Sequence, residues 1–480
     1  MSFTIIKTSF SQVGKDKFNR ENYKTAKLNR EIEKFPFSDM VRLKELFLLI
    51  SGFAFKSIDY VSVGIPLVRI GDLNEYTINY ENMVNLPEEY YNEHKYENYR
   101  IRKNDILVSL TGDGNIKCIV IKDDKKILLN QRVAILRAKR NLNINFYYWL
   151  LNSNYVKKQF TYFSNGKSQL NISPFDLLNI FVPVIDNKVQ DEFTKNIKPF
   201  EKQINDNILL LKNKSTIIDI ILANHFKYNY DKFNALKKNI FHSSFSQYGN
   251  NVDARFSVKF HRPAGEFVYQ ELLNRPNKKI KNCLIIPMIT GQGIETTDYV
   301  ESGNYVYVSM ADISSWELDL THIKYVSNDY AIRKLTKKIK GLKTPVSAEI
   351  SVNDIVMMRS GEGGIGKVAI IKDEIKGIFS DFIIRMRFDE SIINPEFAYF
   401  YFRSQYIQYL IEINKKGLGN NTNIFPNQVQ EFPIPDISLS EQQQIIDMIN
   451  TELNKQDIIR KQISEKKSEI EQILFNITKF

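Results

Sequence analysis

Three groups of residues in this 480-residue chain have types and spacings that could carry chemistry. Gly361, Gly363 and Gly366 in SGEGGIGKV spell GxGxxG, and with Lys367 they approach a phosphate-binding P-loop. A P-loop needs Ser or Thr after the lysine to hold magnesium, and Val368 stands there. It also needs a helix behind it, whose N-terminus faces the phosphates. Here KVAIIK alternates as a strand does. The first half carries the same turn at Thr111, Gly112, Asp113 and Gly114, so the glycines are expected to supply hairpin positions with φ > 0. Asp354, Glu374 and Lys376 have a spacing reminiscent of a metal-dependent nuclease, weakly repeated by Asp105, Asp124 and Lys126. Such a core needs acids converging on a divalent metal, whereas these acids sit where strands turn. His94, His225, His242, His261 and His322 show no metal-ligand spacing. A GxSxG nucleophile elbow is absent, as is the Asn-Pro-Pro-aromatic tetrapeptide that amino-methyltransferases place at a flipped base. The expected chain is one that binds and scaffolds, with no catalytic residue, metal or cofactor of its own.

The composition agrees. Hydrophobic residues make up 43% and charged residues 25%, which suffices for real cores. Lys plus Arg total 66 against 55 acids, a net +11, which suits a polyanionic partner. Two cysteines, Cys118 and Cys283, are too few for a disulfide scaffold. The opening MSFTIIKTSF has no signal-peptide pattern, and no apolar run approaches membrane-spanning length. A cytoplasmic protein without a membrane partner is expected.

The elements that would position any site appear twice. IPLVRIGDL (65–73) lines up with YVYVSMADI (305–313). NDILVSLTGDGNIKCIVIK (104–122) lines up with NDIVMMRSGEGGIGKVAIIK (353–372), each a strand, Gly-rich turn and strand. LNQRVAILR (129–137) matches FSDFIIRMR (379–387), another strand. The aromatic segments 144–156 and 395–407 read as short helices, each followed by a polar loop, 165–173 or 416–425. Both halves close on FVPV (181–184) or FPIP (432–435), and FSQ recurs at Phe10 and Phe245. Five matched blocks in one order mark a duplicated domain, too long for a solenoid repeat.

Each half ends in a long helical pattern. From about Asn187 to Phe226 the apolar stripe runs Phe193, Ile197, Phe200, Ile204, Ile208, Leu211, Ile218, Leu222 and Phe226. From about Ser440 to Phe480 it runs Ile446, Ile449, Leu453, Ile459, Ile463, Ile470, Leu474 and Ile477. Spacings of three and four mark one helix face. Pro199 is expected to kink the first helix. Forty helical residues span about 60 Å, and such a rod needs a partner along its stripe. The other rod, in an antiparallel coiled coil, is the simplest, with a different subunit as the rival. The expected fold is α+β: two similar domains of mixed or antiparallel sheet with short helices at 1–185 and 229–437, followed by long helices at 186–228 and 438–480.

This doubled order of blocks resembles the specificity subunits of Type I restriction-modification enzymes. The characteristic segments here are IPLVRIGDL, NDILVSLTG, LNQRVAILR, the 165–173 loop and the helix start Glu441-Gln442-Gln443-Gln444. The second half departs at Tyr305-Val306 and Ser380-Asp381-Phe382, and the first helix begins Lys188-Val189-Gln190-Asp191. The resemblance implies a non-catalytic subunit with two target-recognition domains that reads an asymmetric bipartite site on double-stranded DNA. It implies two copies of an adenine-N6 DNA methyltransferase subunit as partners, which would flip the base and use S-adenosylmethionine. It further implies an ATP-dependent restriction subunit. Base readers are typically Arg, Lys, Asn and Gln. The candidates at matched places are Arg69, Lys117, Lys167, Gln169 and Asn171 in the first half. In the second they are Arg359, Lys367, Lys415, Lys416, Asn421 and Asn423. The alternatives are a self-contained nuclease using Asp354 and Glu374, and a coiled-coil scaffold with no DNA role.

Overall fold

The computed structural model describes residues 40–478 except 75–76, 81–82, 113–115, 164–169, 238–240, 243–256, 322, 340, 362 and 418–421. The chain forms two compact units, residues 1–211 with 459–480, and residues 212–458. The main helices are α1 (Ile144–Asn152), α2 (Asn154–Phe163), α3 (Asn187–Leu210), α4 (Lys214–Phe226) and α5 (Tyr230–Leu236). They continue with α6 (Pro395–Arg403), α7 (Gln405–Asn414) and α8 (Leu439–Thr478).

The first unit is built on strands β1 (Phe47–Ser51), β2 (Ile65–Val68), β3 (Val84–Leu86), β4 (Ile106–Ser109), β5 (Cys118–Val120), β6 (Leu128–Leu129) and β7 (Val133–Ala138). Four make an antiparallel sheet in the order β1-β7-β4-β5. The others make a mixed sheet, β3-β2-β6, in which β2 and β6 run parallel. The runs ILV and VAIL are apolar at every position because the central strands are covered on both faces. Side chains alternate along a strand. Ile106, Val108, Ala134 and Leu136 therefore enter one core with α1, α2 and α3. Leu107, Val133 and Ile135 enter the other, with Val68 and Leu129.

The second unit repeats this plan with β8 (Ile289–Thr290), β9 (Tyr305–Val308), β10 (Lys324–Val326), β11 (Thr336–Lys337) and β12 (Val346–Ser347). It is completed by β13 (Ile355–Met358), β14 (Val368–Ile370), β15 (Gly377–Phe379) and β16 (Ile383–Met386). The antiparallel sheet is β8-β16-β13-β14, and β9 pairs in parallel with β15. Ile355, Met357, Ile384 and Met386 face the helical core, while Val356, Met358 and Ile383 face the other way. Each FVPV or FPIP segment is a strand closing its unit, pairing with 40–42 in the first and 277–279 in the second.

Two expectations change in detail. The LNQRVAILR and FSDFIIRMR blocks are each two strands, β6–β7 and β15–β16, joined by a corner that passes from one sheet to the other. The helical pattern of 187–226 is two helices rather than one. Pro199 lies within the unbroken α3 on an exposed position, and the break falls instead at 211–213. There Asn213 caps α4, and the Lys212 N–H donates to Gln456 Oε1 at 2.7 Å.

α8 is continuous for 40 residues, yet its residues up to 458 belong to the second unit and those from 459 to the first. In the second unit it runs antiparallel to α4. Lys212 meets Gln456, and His225 pairs with Glu441 at 2.8 Å. Ile218, Leu222, Ile445, Ile446 and Ile449 share that core. In the first unit Ile463, Ile470 and Leu474 pack with Phe193, Ile197 and Ile204 of α3. No helix among the described residues is long and apolar enough to cross a membrane.

Candidate nucleic-acid interface

The doubled sequence blocks correspond to doubled geometry. In each unit an Asn-Asp pair opens the central hairpin. Asn104 and Asn353 adopt φ of 69° and 70°, a left-handed conformation that asparagine tolerates. The following aspartates are buried and paired with arginine. Arg137 Nε and Nη2 donate to the two Asp105 oxygens at 2.8 and 2.7 Å. Arg387 repeats this on Asp354 at 2.7 and 2.8 Å. Backbone N–H groups of Arg102 and Ser351 add a third donor. Such bidentate, charge-assisted pairs fix geometry strongly. They also account for the nuclease-like spacing, since Asp354 and Asp105 are structural anions closing a strand turn. No group of three or more metal-ligating side chains occurs among the described residues.

The strand-to-strand corners match as well. The Gly52 N–H donates to the Val133 carbonyl at 3.0 Å, and Gly291 to Ile383 at 3.2 Å. A Cβ on Gly52 would lie 2.1 Å from the Asn130 carbonyl oxygen, and one on Gly291 1.9 Å from that of Phe379. Glycine is therefore required where the corner presses on its neighbour.

On each unit these corners support a hairpin turn and a polar loop that meet. In the first unit Asn171 and Leu170 pair with Thr111 and Gly112, and the Ile172 N–H donates to Leu110. In the second the Ile424 N–H donates to Arg359, and Lys416 and Asn423 exchange backbone bonds of 2.8 and 2.7 Å. Gly361, Gly363 and Gly366 all have φ between 72° and 93°, and a strand, β14, follows. The GxGxxG run is a hairpin turn, as its alternating continuation predicts.

The candidate readers fall into distinct places. Arg69 grips Asp72 across one turn, with Nε 3.2 Å from the carboxylate. Lys117 donates to the Leu73 carbonyl, and Lys367 donates to that of Ser314 at 2.8 Å. Each lysine thus ties the hairpin turn to the end of the short 3-10 turn that Asp72 or Asp312 caps. Arg359 is half-buried. It donates to the carbonyls of Asp381 and Ile424 at 3.0 and 3.3 Å and lies over the Phe425 ring at 4.9 Å. Burial lowers its pKa, countered by nearby Asp381. Lys415 pairs with Glu412, while Asn171, Lys416 and Asn423 stand on the paired loop edges. Lys167, Gln169 and Asn421 lie outside the described residues. Gln190 and Gln442 escaped the sequence reading as matched residues. Both are buried near a helix start, and their amides donate to the carbonyls of Ile185 and Ile437. KVQD (188–191) and SEQQ (440–443) each place a glutamine third, which is the signal that was available.

The family described as Type I restriction modification DNA specificity domain matches residues 38–212 and again 278–471. The chain belongs to that family. A Type I restriction enzyme specificity subunit (MjaVIII) from Methanocaldococcus jannaschii is 28% identical over 202 residues, 41% of this chain and 45% of that protein. The EcoBI specificity subunit of Escherichia coli is 21% identical over 429 residues, 86% of this chain and 79% of that one. The crystal structure of a Type I restriction-modification S subunit from M. genitalium is 14% identical and covers 92% of this chain and 96% of its own, with a TM-score of 0.34. The chain thus aligns with less than half the length of the archaeal relative. Both copies of the specificity domain contain the Asp–Arg pair, the glycine turn and the polar loop. The segment 213–277, with α4 and α5, lies outside both matches, although Ile218, Leu222 and Phe233 are core residues of the second unit.

Proposed function

We propose that this chain is the non-catalytic specificity subunit of a Type I restriction-modification complex that recognises an asymmetric bipartite site on double-stranded DNA. Residues 1–185 and 229–437 act as the two target-recognition domains, and the helices at 186–228 and 438–480 set the spacing between half-sites. With half-sites read from one side of the duplex, their centres fall about one helical turn, roughly 34 Å, apart. The partners are two copies of an adenine-N6 methyltransferase subunit and an ATP-dependent restriction subunit.

The observation that carries this reading is a conserved frame holding unlike loops. The Asp105–Arg137 and Asp354–Arg387 frames are the same in both units, while Leu110 stands where the second unit has Arg359. Gln131-Arg132 likewise stands where it has Asp381-Phe382. One frame with two loop chemistries suits one task on two different sequences. Methylome sequencing of cells expressing this chain with its methyltransferase subunit tests the proposal. A split motif with different halves is expected, and methylation at a single continuous motif, or none, overturns it. Magnesium-dependent cleavage of DNA by the purified chain alone, abolished by Glu374→Ala, would favour the nuclease alternative.

A further inference from the structure

The second unit carries a hairpin that the first lacks, and the strand registers locate it. Ile65 pairs with Leu86 and Tyr305 with Val326, so both strands of this pair are offset by 240 between the halves. Asp105 and Asp354 hold equivalent arginines at an offset of 249. Nine residues have been inserted between these points. The extra length falls in the stretch that holds β11 and β12, which pair Thr336 with Ser347 and Lys337 with Val346. From Tyr330 to Ala348 the chain has six cations (Arg333, Lys334, Lys337, Lys338, Lys340 and Lys343) and no acid. The matching stretch of the first half, 90–100, contains Glu93 and Glu97.

The base of the hairpin is fixed and its tip is presented. The Lys337 ammonium donates to the Thr290 carbonyl and hydroxyl at 2.9 and 2.8 Å and to the Gly291 carbonyl at 2.9 Å. Val346 and Ala348 are buried. Lys338, Lys343 and the residues from Gly341 to Pro345 are exposed, with Gly341 at φ 93° and Leu342 bare at the turn. Neither Lys338 nor Lys343 belongs to an ion pair among the described residues. Unpaired like charges on one short tip repel each other and gain by meeting a polyanion. The base also adjoins the candidate reading loops. Gln292 bridges Ser380, and the Arg359 guanidinium donates to the Asp381 carbonyl and reaches the 424–425 loop.

We propose that the β11–β12 hairpin is a basic finger that grips the phosphate backbone of duplex DNA through Lys338 and Lys343, beside the bases read by the second recognition domain. This rests on the specificity-subunit reading and extends it to a contact made by one head only. The finger adds affinity without reading sequence, since phosphate contacts position a protein and base contacts specify.

The test measures binding of the full chain to a random-sequence duplex across a salt series. The double variant Lys338→Gln, Lys343→Gln retains the Lys337 anchor. Each phosphate contact contributes about 0.9 to the slope of log affinity against log salt, so the variant's slope should shrink by roughly two. Glutamine at two exposed lysines of α3 (Lys195 and Lys198) makes the same change in net charge elsewhere and should leave the slope nearly unchanged. Thermal melting of each variant verifies folding. An unchanged slope in the finger variant, or an equal loss in the α3 variant, overturns the proposal while leaving the specificity-subunit reading intact. A wild-type chain that binds no duplex at any salt overturns both.

Discussion

At the scale of single residues, buried charges determine how firmly each head is held. Asp354 is fully buried beneath Arg387. Asp354→Asn would leave the guanidinium without its counter-ion and should cost about 3 kcal/mol in denaturant unfolding. Asp219 behaves differently. It accepts the Gln405 N–H at 2.8 Å and the Tyr230 hydroxyl at 3.2 Å, and Lys237 is near enough to favour its anion. Burial nevertheless raises its pKa to about 6. A carboxyl whose folded pKa exceeds its unfolded value contributes most stability below the unfolded pKa, and loses it as pH rises through 6. Asp219→Asn keeps an acceptor but no charge. Relative to wild type it should gain about 1–3 kcal/mol between pH 4 and pH 7, read from paired melts at the two pH values. Arg359, a candidate base reader, donates to the carbonyls of Asp381 and Ile424 and lies over the Phe425 ring. Arg359→Leu should lower the ratio of cognate to random-duplex affinity about tenfold while changing the salt slope by less than one unit. A slope change near one would make it a phosphate contact instead.

At the scale of elements, the sequence exposed periodicity better than interruption. The aromatic helices are each cut in two at Ser153 and Ser404, whose hydroxyls bond back to Leu150 and Tyr401. A serine in an otherwise helical run is too weak a signal to mark that cut. Pro199 is a stronger signal, yet it does not end the helix. It sits on the exposed side of α3, where the helix continues despite the missing N–H. Pro199→Ala should therefore raise the melting temperature, with a gain of about 1–3 kcal/mol, because interior proline is costly in a helix. The real break at 211–213 depends on Gln456, distant in sequence, taking the Lys212 N–H. The two-strand corners were hidden for a similar reason, since β6 and β7 are apolar and separated by only three residues.

At the scale of the whole molecule, each compact unit is completed by a helix from the other repeat. In the first unit Glu471 of α8 accepts from the Asn154 N–H at 2.7 Å, capping α2. In the second, Asp219 of α4 caps α7 at Gln405 in the matching place. The last turns of the chain thus stabilise a unit that begins near its start. Ile470→Ala should cost the first unit about 2–5 kcal/mol through the cavity it opens. The chain has two tryptophans, Trp149 in the first unit and Trp316 in the second. With Trp316→Phe in the background, Trp149 fluorescence should report the loss. An unfolding midpoint unmoved at Trp149 would show that α8 does not support that unit.

The sequence by itself determined the duplication, the strand and helix types and the need of each apolar stripe for a cover, because these are local periodicities repeated along one chain. Only the tertiary structure decided which stripe covers which core and where the rod breaks. It also decided which backbone carbonyls Lys117, Arg359 and Lys367 donate to. Those outcomes depend on partners far apart in sequence, and on which backbone carbonyls burial leaves in need of a donor, and neither quantity is written in the order of side chains.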